Sequence, residues 1–325
     1  MGYKLSIVIP HYNKIELLKT LLSSIPDNDK IQVIVVDDYS PVDVKVQYYQ
    51  LKNEYDQNKY LFLENQSGIH NAGAARNIGL KHVEGDWLLF ADADDYFVKG
   101  FYEAVSEYFD KEYDLVYFKS TSIYLDTGEP SIRHLSYNNR VDSYLEKSNR
   151  KYEIQLRANW DVPFAKLIRT KIVKENNIQF DEVTIANDKF FSTKIGFYAK
   201  KIDACDKIIY CITRNRGSLT TKFDLKSFEI RANEEIKLNN FWRENLSRQD
   251  FNYIGRFTAY VDMYLIIKRK YGIKIFLKYL KVFAQNKMFH FSLKGIRADM
   301  FSAFNRTMRE ENKIKRKYAE SYDKK

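Results

Sequence analysis

Short apolar runs alternate with amphipathic segments through the first 120 residues of the chain. The apolar runs predict buried strands, and the segments with helical spacing of apolar residues predict helices. Strands are predicted over residues 4–10, 31–38, 59–65, 86–94 and 114–120, and helices over residues 14–25, 42–56, 72–83 and 100–113. Strands that alternate with helices of this length indicate βαβ units and an α/β fold with a mostly parallel sheet flanked by helices.

The pattern changes twice further along the chain. Residues 121–160 are polar and show no strong period, so we expect irregular structure there. Apolar runs return between Trp160 and Thr221, and beyond about Phe223 the pattern becomes helical and basic. We therefore predict a first domain over residues 1–222, with halves that divide near residue 120, and a helical region over residues 223–325.

Polar clusters follow three of the predicted strands. Ligands of parallel α/β sheets bind outside the carboxyl ends of the strands, so these clusters are expected to share one site. They are Pro10, His11, Tyr12 and Asn13 at the end of the first strand, Asp37, Asp38, Tyr39 and Ser40 at the end of the second, and Asp92, Asp94 and Asp95 at the end of the strand at 86–94.

The last cluster is unusual because the apolar run Trp87–Ala91 leads directly into Asp92, Asp94 and Asp95. Aspartate is disfavoured within strands, and a buried unpaired carboxylate is costly. We expect the three acids at the end of the strand, facing a divalent metal, an arginine or a capped helix. Turn acids that cap a helix starting near Lys99 are the alternative.

The charge is distributed unevenly. The chain has a formal net charge of +10, and residues 241–325 carry 20 lysines and arginines against 8 acidic residues. The whole basic excess therefore lies in the C-terminal quarter, which suggests two functions in one chain. The two cysteines match neither a disulfide framework nor a zinc signature and are expected to be reduced thiols of a cytoplasmic protein. No apolar stretch of about 18 residues predicts a spanning helix.

Five segments occur in the order and at the spacings of a known family. They are SIVIPHYNK (Ser6–Lys14), VIVVDDYS (Val33–Ser40), GAARNIGL (Gly73–Leu80), GDWLLFADADD (Gly85–Asp95) and, more loosely, FDEVTIANDKFF (Phe180–Phe191). With them the chain resembles the inverting family-2 glycosyltransferases of the GT-A fold. The resemblance covers roughly residues 4–220 and implies a catalytic domain with a nucleotide-sugar half over about 1–120 and an acceptor half over about 121–222.

The resemblance implies roles for the residues at the strand ends. The nucleotide pocket would be lined by Pro10, Tyr12 and Asn13. Asp38 would accept a hydrogen bond from a uracil N–H, and Arg76 would approach the diphosphate or the base. Asp92 would lie near the ribose and the metal-bound waters, and Asp94 would bind Mn²⁺ or Mg²⁺, hard cations that prefer carboxylate and phosphate oxygens. A surface ion pair on a helix is the alternative for Arg76.

An inverting transferase needs a general base that removes the proton of the acceptor hydroxyl. The resemblance assigns this role to Asp188, which follows Asn187 where the family usually has glutamate. The alternative is that Asn187 or Asp188 caps the helix that follows.

Two further pairs of residues are candidates on the same resemblance. The segment Pro163–Val173 suggests Trp160 and Lys166 near the acceptor, and the segment Thr213–Thr221 suggests that Arg214 or Arg216 contacts the diphosphate. A buried Trp160 and a solvated basic turn are the respective alternatives.

The segment Tyr271–Gln285 combines a lysine stripe, Lys274, Lys278 and Lys281, with a broad apolar side. Such a helix can lie on an anionic membrane surface. Packing on the catalytic domain is the alternative. No nucleic-acid-binding motif is present, so nucleic acid is not an expected partner.

These observations predict an inverting, metal-dependent glycosyltransferase. It would move a sugar, most often UDP-linked in the family, to a hydroxyl of a growing cell-surface glycan such as capsule or lipopolysaccharide. The acceptor would be free or lipid-linked, and the enzyme would be cytoplasmic or bound to the inner face of the membrane. The alternatives are a nucleotidyltransferase, although IPHYNK lacks the glycines of a phosphate loop, and a non-catalytic membrane-surface scaffold.

Overall fold

A computed structural model describes residues 2–214, 224–254 and 258–289. The strands are β1 (Leu5–His11), β2 (Ile31–Asp37), β3 (Tyr60–Glu64), β4 (Trp87–Phe90), β5 (Tyr96–Phe97), β6 (Leu115–Tyr124), β7 (Lys166–Arg169) and β8 (Ile202–Arg214). The helices are α1 (Ile15–Ser23), α2 (Val42–Glu54), α3 (Ala72–Leu80), α4 (Phe101–Ser106), α5 (Leu135–Lys147), α6 (Arg150–Asn159), α7 (Thr170–Glu175), α8 (Lys189–Tyr198), α9 (Leu225–Asn245), α10 (Arg248–Ile254), α11 (Thr258–Lys268) and α12 (Ile273–Gln285).

The strands form one sheet in the order β3-β2-β1-β4-β7-β6-β8-β5. β1 pairs in parallel with both β2 and β4, and β2 pairs in parallel with β3. β7 is antiparallel to β4 and to β6, so β6 runs in the same direction as β4. The predicted α/β fold with a mostly parallel sheet is therefore confirmed, with β7 as a reversed strand inserted between β4 and β6.

The burial of β1 and β2 explains why their sequences are continuous apolar runs. Every residue of β1 and of β2 is buried. Because successive side chains of a strand point to opposite faces, this burial shows that both faces of the sheet are covered.

Helix α3 packs unusually close to its neighbours because its residues are small. The Asn71 side chain caps the helix by accepting a hydrogen bond from the Ala74 N–H at 2.9 Å. A Cβ added at Gly79 would lie 2.6 Å from Cγ1 of Val8 in β1, and one at Gly73 would overlap the Asp181 carbonyl oxygen. The helix thus lies between the sheet and the segment that follows residue 180.

Two predictions of local structure were wrong. Residues 121–160, expected to be irregular, contain α5 and α6. Each of these helices buries only a few side chains, such as Tyr137 and Val141 of α5, so the apolar period was weak. The helix predicted over residues 100–113 ends at Ser106. The Phe109 carbonyl beyond it accepts a hydrogen bond from the Trp87 indole N–H at 3.2 Å.

The chain divides into two compact units, residues 1–121 with 133–213 and residues 122–132 with 214–325. The segment 122–132, expected in the acceptor half, thus belongs to the second unit, while the boundary predicted at residue 222 lies outside the described residues. The prediction of a helical C-terminal region is confirmed by α9 to α12, which include their own buried cluster with Phe228, Tyr279 and Phe283. Within the described residues, no helix has the length and hydrophobicity needed to span a membrane.

Candidate active site

The sheet brings the three polar clusters to one edge. His11 pairs with Asp37 in the β1–β2 register, and Val8 pairs with Phe90 in the β1–β4 register. Since these strands are parallel neighbours, the residues that follow them emerge side by side. The expectation that the acids lie just after their strand is confirmed, because β4 ends at Phe90.

Asp38 lies beside a cluster of polar and aromatic side chains. The Asn65 side chain donates to its carboxylate at 2.6 Å, and Nε2 of His70 lies 3.5 Å from the other oxygen. The ring of Tyr12 lies 4.7 Å from the His70 ring, and the ring of Tyr39 lies 5.9 Å from it. Burial raises the pKa of Asp38, and the hydrogen bond from Asn65 opposes that shift. A carboxyl group surrounded by flat rings suits recognition of a planar heterocycle.

The loop after β1 is fixed by a buried imidazole. The Lys14 backbone N–H donates to Nε2 of His11 at 3.2 Å, so Nδ1 carries the proton and donates to Asp37 at 2.9 Å. Asn13 has a left-handed backbone with φ 51, and its N–H donates to the Ser40 hydroxyl at 2.9 Å. Pro10 is a buried residue of β1 itself, so the loop presents Tyr12 and Asn13 rather than Pro10.

Arg76 is the positive partner that the acidic cluster required. Its side chain is buried, and its guanidinium donates to Asp92 at 2.5 Å and to Oδ1 of Asn187 at 3.0 Å. The guanidinium also lies over the Phe180 ring, 5.2 Å from its centre. The alternative of a surface ion pair is therefore wrong, since Arg76 links two segments inside the protein.

The three acids after β4 have three different environments. Asp92 is paired with Arg76, and Asp94 forms an ion pair with Lys14. Asp95 is buried and accepts a hydrogen bond from the Thr213 N–H at 2.7 Å. Burial, together with the charges of Asp92 and Asp94, raises the pKa of Asp95 well above its usual range. Asp95 is therefore a buried acid held by the backbone, whereas Asp92 and Asp94 are partly exposed ion-pair partners.

These acids fit part of a metal site. The described residues contain no group of three or more histidines, cysteines or acids that could hold a metal ion. Mg²⁺ bound to phosphate ligands often takes only one or two carboxylates from the protein. Asp94, whose side chain is 27% exposed, can supply such a ligand if the cation displaces Lys14. The arrangement thus suits a cation that arrives with a diphosphate.

Asp188 occupies the N-cap position of α8, but its side chain makes no capping hydrogen bond. The carboxylate is therefore not used by the helix, which removes the capping alternative for Asp188. Burial raises its pKa, while the charge of Arg76 lowers it and those of Asp161 and Asp92 raise it. Asn187 holds Arg76 through its side-chain oxygen, so this amide fills the position where the family usually has glutamate.

The two residues predicted to lie near the acceptor, Trp160 and Lys166, are more deeply buried than expected. The Trp160 side chain is 1% exposed, donates to the Phe164 carbonyl at 3.2 Å and packs against Tyr117 and Tyr137. A ring enclosed in this way offers no face to a sugar, so the prediction for Trp160 is corrected to a core residue. Lys166 is fully buried, which likewise excludes the direct substrate contact predicted for it.

The diphosphate contacts predicted for Arg214, the last residue of β8, and for Arg216 stay predictions. Arg214 belongs to the second unit, where its guanidinium lies over the Tyr124 ring at 5.5 Å. Arg216 lies outside the described residues, so its contact with the diphosphate stays a prediction.

Several residues of this site carried no signal in the sequence. Asn65 and His70 contact Asp38 from a loop after β3, and Tyr210 accepts a hydrogen bond from the Asp92 N–H at 2.9 Å. Lys14 stands within the IPHYNK motif, and its ion pair with Asp94 depends on the packing of β1 beside β4. Only the tertiary structure brings these residues together.

Comparison with known proteins places this site in a family. The model of "Glycosyl transferase family 2" matches residues 6–176. Poly(ribitol-phosphate) beta-N-acetylglucosaminyltransferase TarS of Staphylococcus aureus is 28% identical over 221 residues, which are 66% of this chain and 36% of the relative. A poly(ribitol-phosphate) beta-glucosyltransferase of Bacillus spizizenii is 27% identical over 227 residues, 66% of this chain and 33% of the relative. The matched region thus spans about a third of these relatives.

Solved structures share the fold. S. aureus TarS 1–349 in complex with UDP-GlcNAc has a TM-score of 0.54 at 18% identity, covering 87% of this chain and 92% of that one. The mannosyltransferase PcManGT from Pyrobaculum calidifontis, in complex with GDP-Man and Mn²⁺, has a TM-score of 0.57 at 15% identity, covering 92% and 79%. The chain has the GT-A fold and belongs to glycosyl transferase family 2.

Proposed function

We propose that the protein transfers a sugar, with inversion, from a UDP-linked donor to a hydroxyl of a cell-surface polymer, with Asp188 as the general base. The observation that carries this proposal is the double contact of Arg76 with Asp92 and Asn187. It joins the segment after β4, which would receive the donor diphosphate, to the segment that presents Asp188.

The donor would bind across the sheet edge. Its base would enter the pocket of Asp38, Tyr12 and His70, and its diphosphate would lie toward Asp94 and Lys14. Asp94, with Asp92 nearby, would hold Mn²⁺ or Mg²⁺, which when bound neutralises charge on the departing diphosphate. The UDP-GlcNAc complex of TarS and the Mn²⁺ complex of PcManGT support this choice of donor and cation.

The reaction needs one proton transfer to the protein. The acceptor hydroxyl oxygen attacks the anomeric carbon as the bond from that carbon to the diphosphate oxygen breaks, and UDP leaves with the electron pair. The hydroxyl proton passes to the Asp188 carboxylate. A raised pKa makes this carboxylate a stronger base than an exposed aspartate.

The proposed acceptor is a cell-surface glycan. Teichoic-acid-type polymers are candidates for it, beside capsule and lipopolysaccharide. The names of the two relatives, both poly(ribitol-phosphate) glycosyltransferases, support this class. The net charge of +10 suits approach to an anionic polymer or membrane surface.

We also propose that the second unit binds an anionic membrane surface. α11 exposes Val261, Tyr264 and Ile267, and α12 exposes Ile273, Leu277 and Leu280. Phe283, expected on the same apolar side, is instead buried in the core of this unit. The exposed apolar residues therefore form a surface distinct from the buried side.

Basic residues border this surface. Lys268 at the end of α11 and the following Arg269 and Lys270 are exposed, as are Lys274 and Lys281 of α12. Lys278 pairs with Glu229, so its charge is partly used within the unit. Exposed apolar groups bordered by cations match the headgroup region of an anionic bilayer.

Replacing Asp188 with Asn tests the general base. General-base catalysis contributes about 10²–10⁴-fold to a reaction rate. The rate of UDP release in the presence of donor and acceptor should therefore fall by about that factor. The rise in melting temperature on adding UDP should persist, since the donor pocket is unchanged. Asp110→Asn, at a side chain that is 95% exposed, is the matched control and should keep full turnover. Unchanged turnover in Asp188→Asn would remove Asp188 as the base.

Replacing Asp94 with Asn tests the metal site by binding alone. Wild-type protein should melt at a higher temperature with UDP and Mn²⁺ together than with UDP alone, because ligands that bind only the native state stabilise it. Asp94→Asn should lose the part of this increase that requires Mn²⁺, whereas Asp110→Asn should keep it. Retention of the Mn²⁺ effect in Asp94→Asn would contradict the assignment.

Cosedimentation with vesicles tests the membrane proposal. The protein should pellet with phosphatidylglycerol-containing vesicles and less with pure phosphatidylcholine, and added salt should weaken the interaction. Ile273→Ser with Leu277→Ser should reduce binding by about tenfold, because apolar burial is lost. Val42→Ser, at a valine of the first unit that is 81% exposed, is the control. Equal binding by both variants, or no binding to either vesicle, would refute the proposal.

A further inference from the structure

The ion pair between Lys14 and Asp94 places a cation of the protein itself on the proposed metal ligand. The Lys14 ammonium contacts Oδ2 of the Asp94 carboxylate. The two residues are 80 positions apart in the sequence and meet because β1 lies beside β4. Lys14 therefore occupies the carboxylate to which a divalent cation would bind.

The backbone on each side of this ion pair is held by contacts of its own. The Lys14 N–H donates to Nε2 of the buried His11 at 3.2 Å, and the Lys14 carbonyl accepts from the Leu18 N–H of α1 at 2.9 Å. The Asp94 carbonyl accepts a hydrogen bond from the Thr213 hydroxyl at 2.6 Å. The ammonium and the carboxylate can therefore separate by rotation of their side chains while both backbones stay in place.

The exposure of the two side chains makes this pair easy to separate. The Lys14 side chain is 41% exposed and the Asp94 side chain 27% exposed. An ion pair of this exposure is worth at most about fivefold in an equilibrium constant. The neighbouring Arg76 differs, because its side chain is 5% exposed and it bonds to both Asp92 and Asn187. Of the two cations, Lys14 is the one that a ligand can displace.

A displaced Lys14 gains a new anionic partner only if a diphosphate is bound. A divalent cation alone would have to remove the ammonium from Asp94 and would repel it. A nucleotide diphosphate beside Asp94 would offer the ammonium phosphate oxygens, which lysine binds well. Separation of the ion pair is therefore unfavourable for the cation alone and is compensated when the nucleotide is present.

We propose that Lys14 is a positioning residue that couples cation binding to donor binding. Its ammonium occupies Asp94 in the free enzyme and moves to the donor diphosphate when Asp94 takes the cation. This inference rests on the proposed role of Asp94 as a metal ligand. The coupling is reciprocal, so nucleotide and cation each raise the affinity for the other by the same factor.

The test measures Mn²⁺ binding to wild type and Lys14→Met by electron paramagnetic resonance of free Mn²⁺, with and without UDP. The Mn²⁺ that UDP binds in solution is measured without protein and subtracted. Mn²⁺ alone should bind about two- to fivefold more tightly to Lys14→Met, because the ammonium no longer competes for Asp94. With UDP present, Mn²⁺ should bind about tenfold less tightly than to wild type, because the diphosphate loses a charged partner.

The factor by which UDP tightens Mn²⁺ binding should therefore fall by more than about tenfold in Lys14→Met. A merely structural role of Lys14 would not strengthen the binding of Mn²⁺ alone. An unchanged factor, or Mn²⁺ alone bound no more tightly than by wild type, would overturn the inference. The Lys14 side chain makes no capping hydrogen bond to α1, so the variant should fold, and its melting curve checks this.

Lys19→Met is the matched control. Lys19 lies on α1, its side chain is 43% exposed, and it pairs with Glu16 of the same helix. This variant loses the same charge from a similarly exposed ion pair without touching Asp94, so it should bind Mn²⁺ as wild type does with and without UDP. A change equal to that of Lys14→Met would show a general effect of charge and overturn the inference.

Asp94→Asn separates a failure of this inference from a failure of the metal assignment. Mn²⁺ binding by this variant should be lost with and without UDP. If Asp94→Asn bound Mn²⁺ like wild type, the metal assignment would fall, and this inference with it. If Asp94→Asn lost Mn²⁺ binding while Lys14→Met kept the wild-type effect of UDP, only this inference would fall.

Discussion

The site depends on one buried guanidinium. Arg76 joins Asp92, which follows β4, to Asn187, which precedes the proposed base, although these residues are far apart in the sequence. A buried arginine is stable only when its charge is paired, and although Nε of Arg76 has no hydrogen-bond partner, its two terminal nitrogens bond to these two segments and hold them in place. The segments proposed to receive the donor and the acceptor are thus joined by one residue of α3.

Small side chains make this arrangement possible. Gly79 lets α3 approach β1, and Gly73 lets it approach the Asp181 carbonyl on the other side. Asn77 completes the attachment, since its side chain both accepts from the Phe180 N–H at 2.8 Å and donates to the Phe180 carbonyl at 3.0 Å. The segment GAARNIGL therefore serves first as a packing element, and its arginine can reach both partners because the helix lies so close to them.

Much of the fold and part of the site followed from local sequence. Continuous apolar runs located β1, β2 and β4, and parallel pairing then put Asp38 and Asp94 at one edge. The partners of these acids could not be predicted from the sequence. Asn65 contacts Asp38 and Lys14 contacts Asp94 only through tertiary packing. Asn187 reaches Arg76, the neighbour of these acids, in the same way.

Burial was the other property that the sequence did not reveal. Lys166 stands in a segment with a family resemblance and Trp160 lies just before that segment, so either could have faced a substrate. The reversed strand β7, which begins at Lys166, lies between β4 and β6, and both residues are buried. The helices α5 and α6 were missed for a related reason, because few of their residues reach the core and their apolar period is weak.

The central claim is that Arg76 and Asn187 act as one unit in turnover. A double-mutant cycle on kcat tests it most directly, with Arg76→Met, Asn187→Leu and the double variant, each shown to be folded by its melting curve. Residues that share one network give effects that do not add. We predict that each single variant lowers kcat and that the double variant is little worse than Arg76→Met alone. Losses that multiply, with no coupling between the two positions, would contradict the claim.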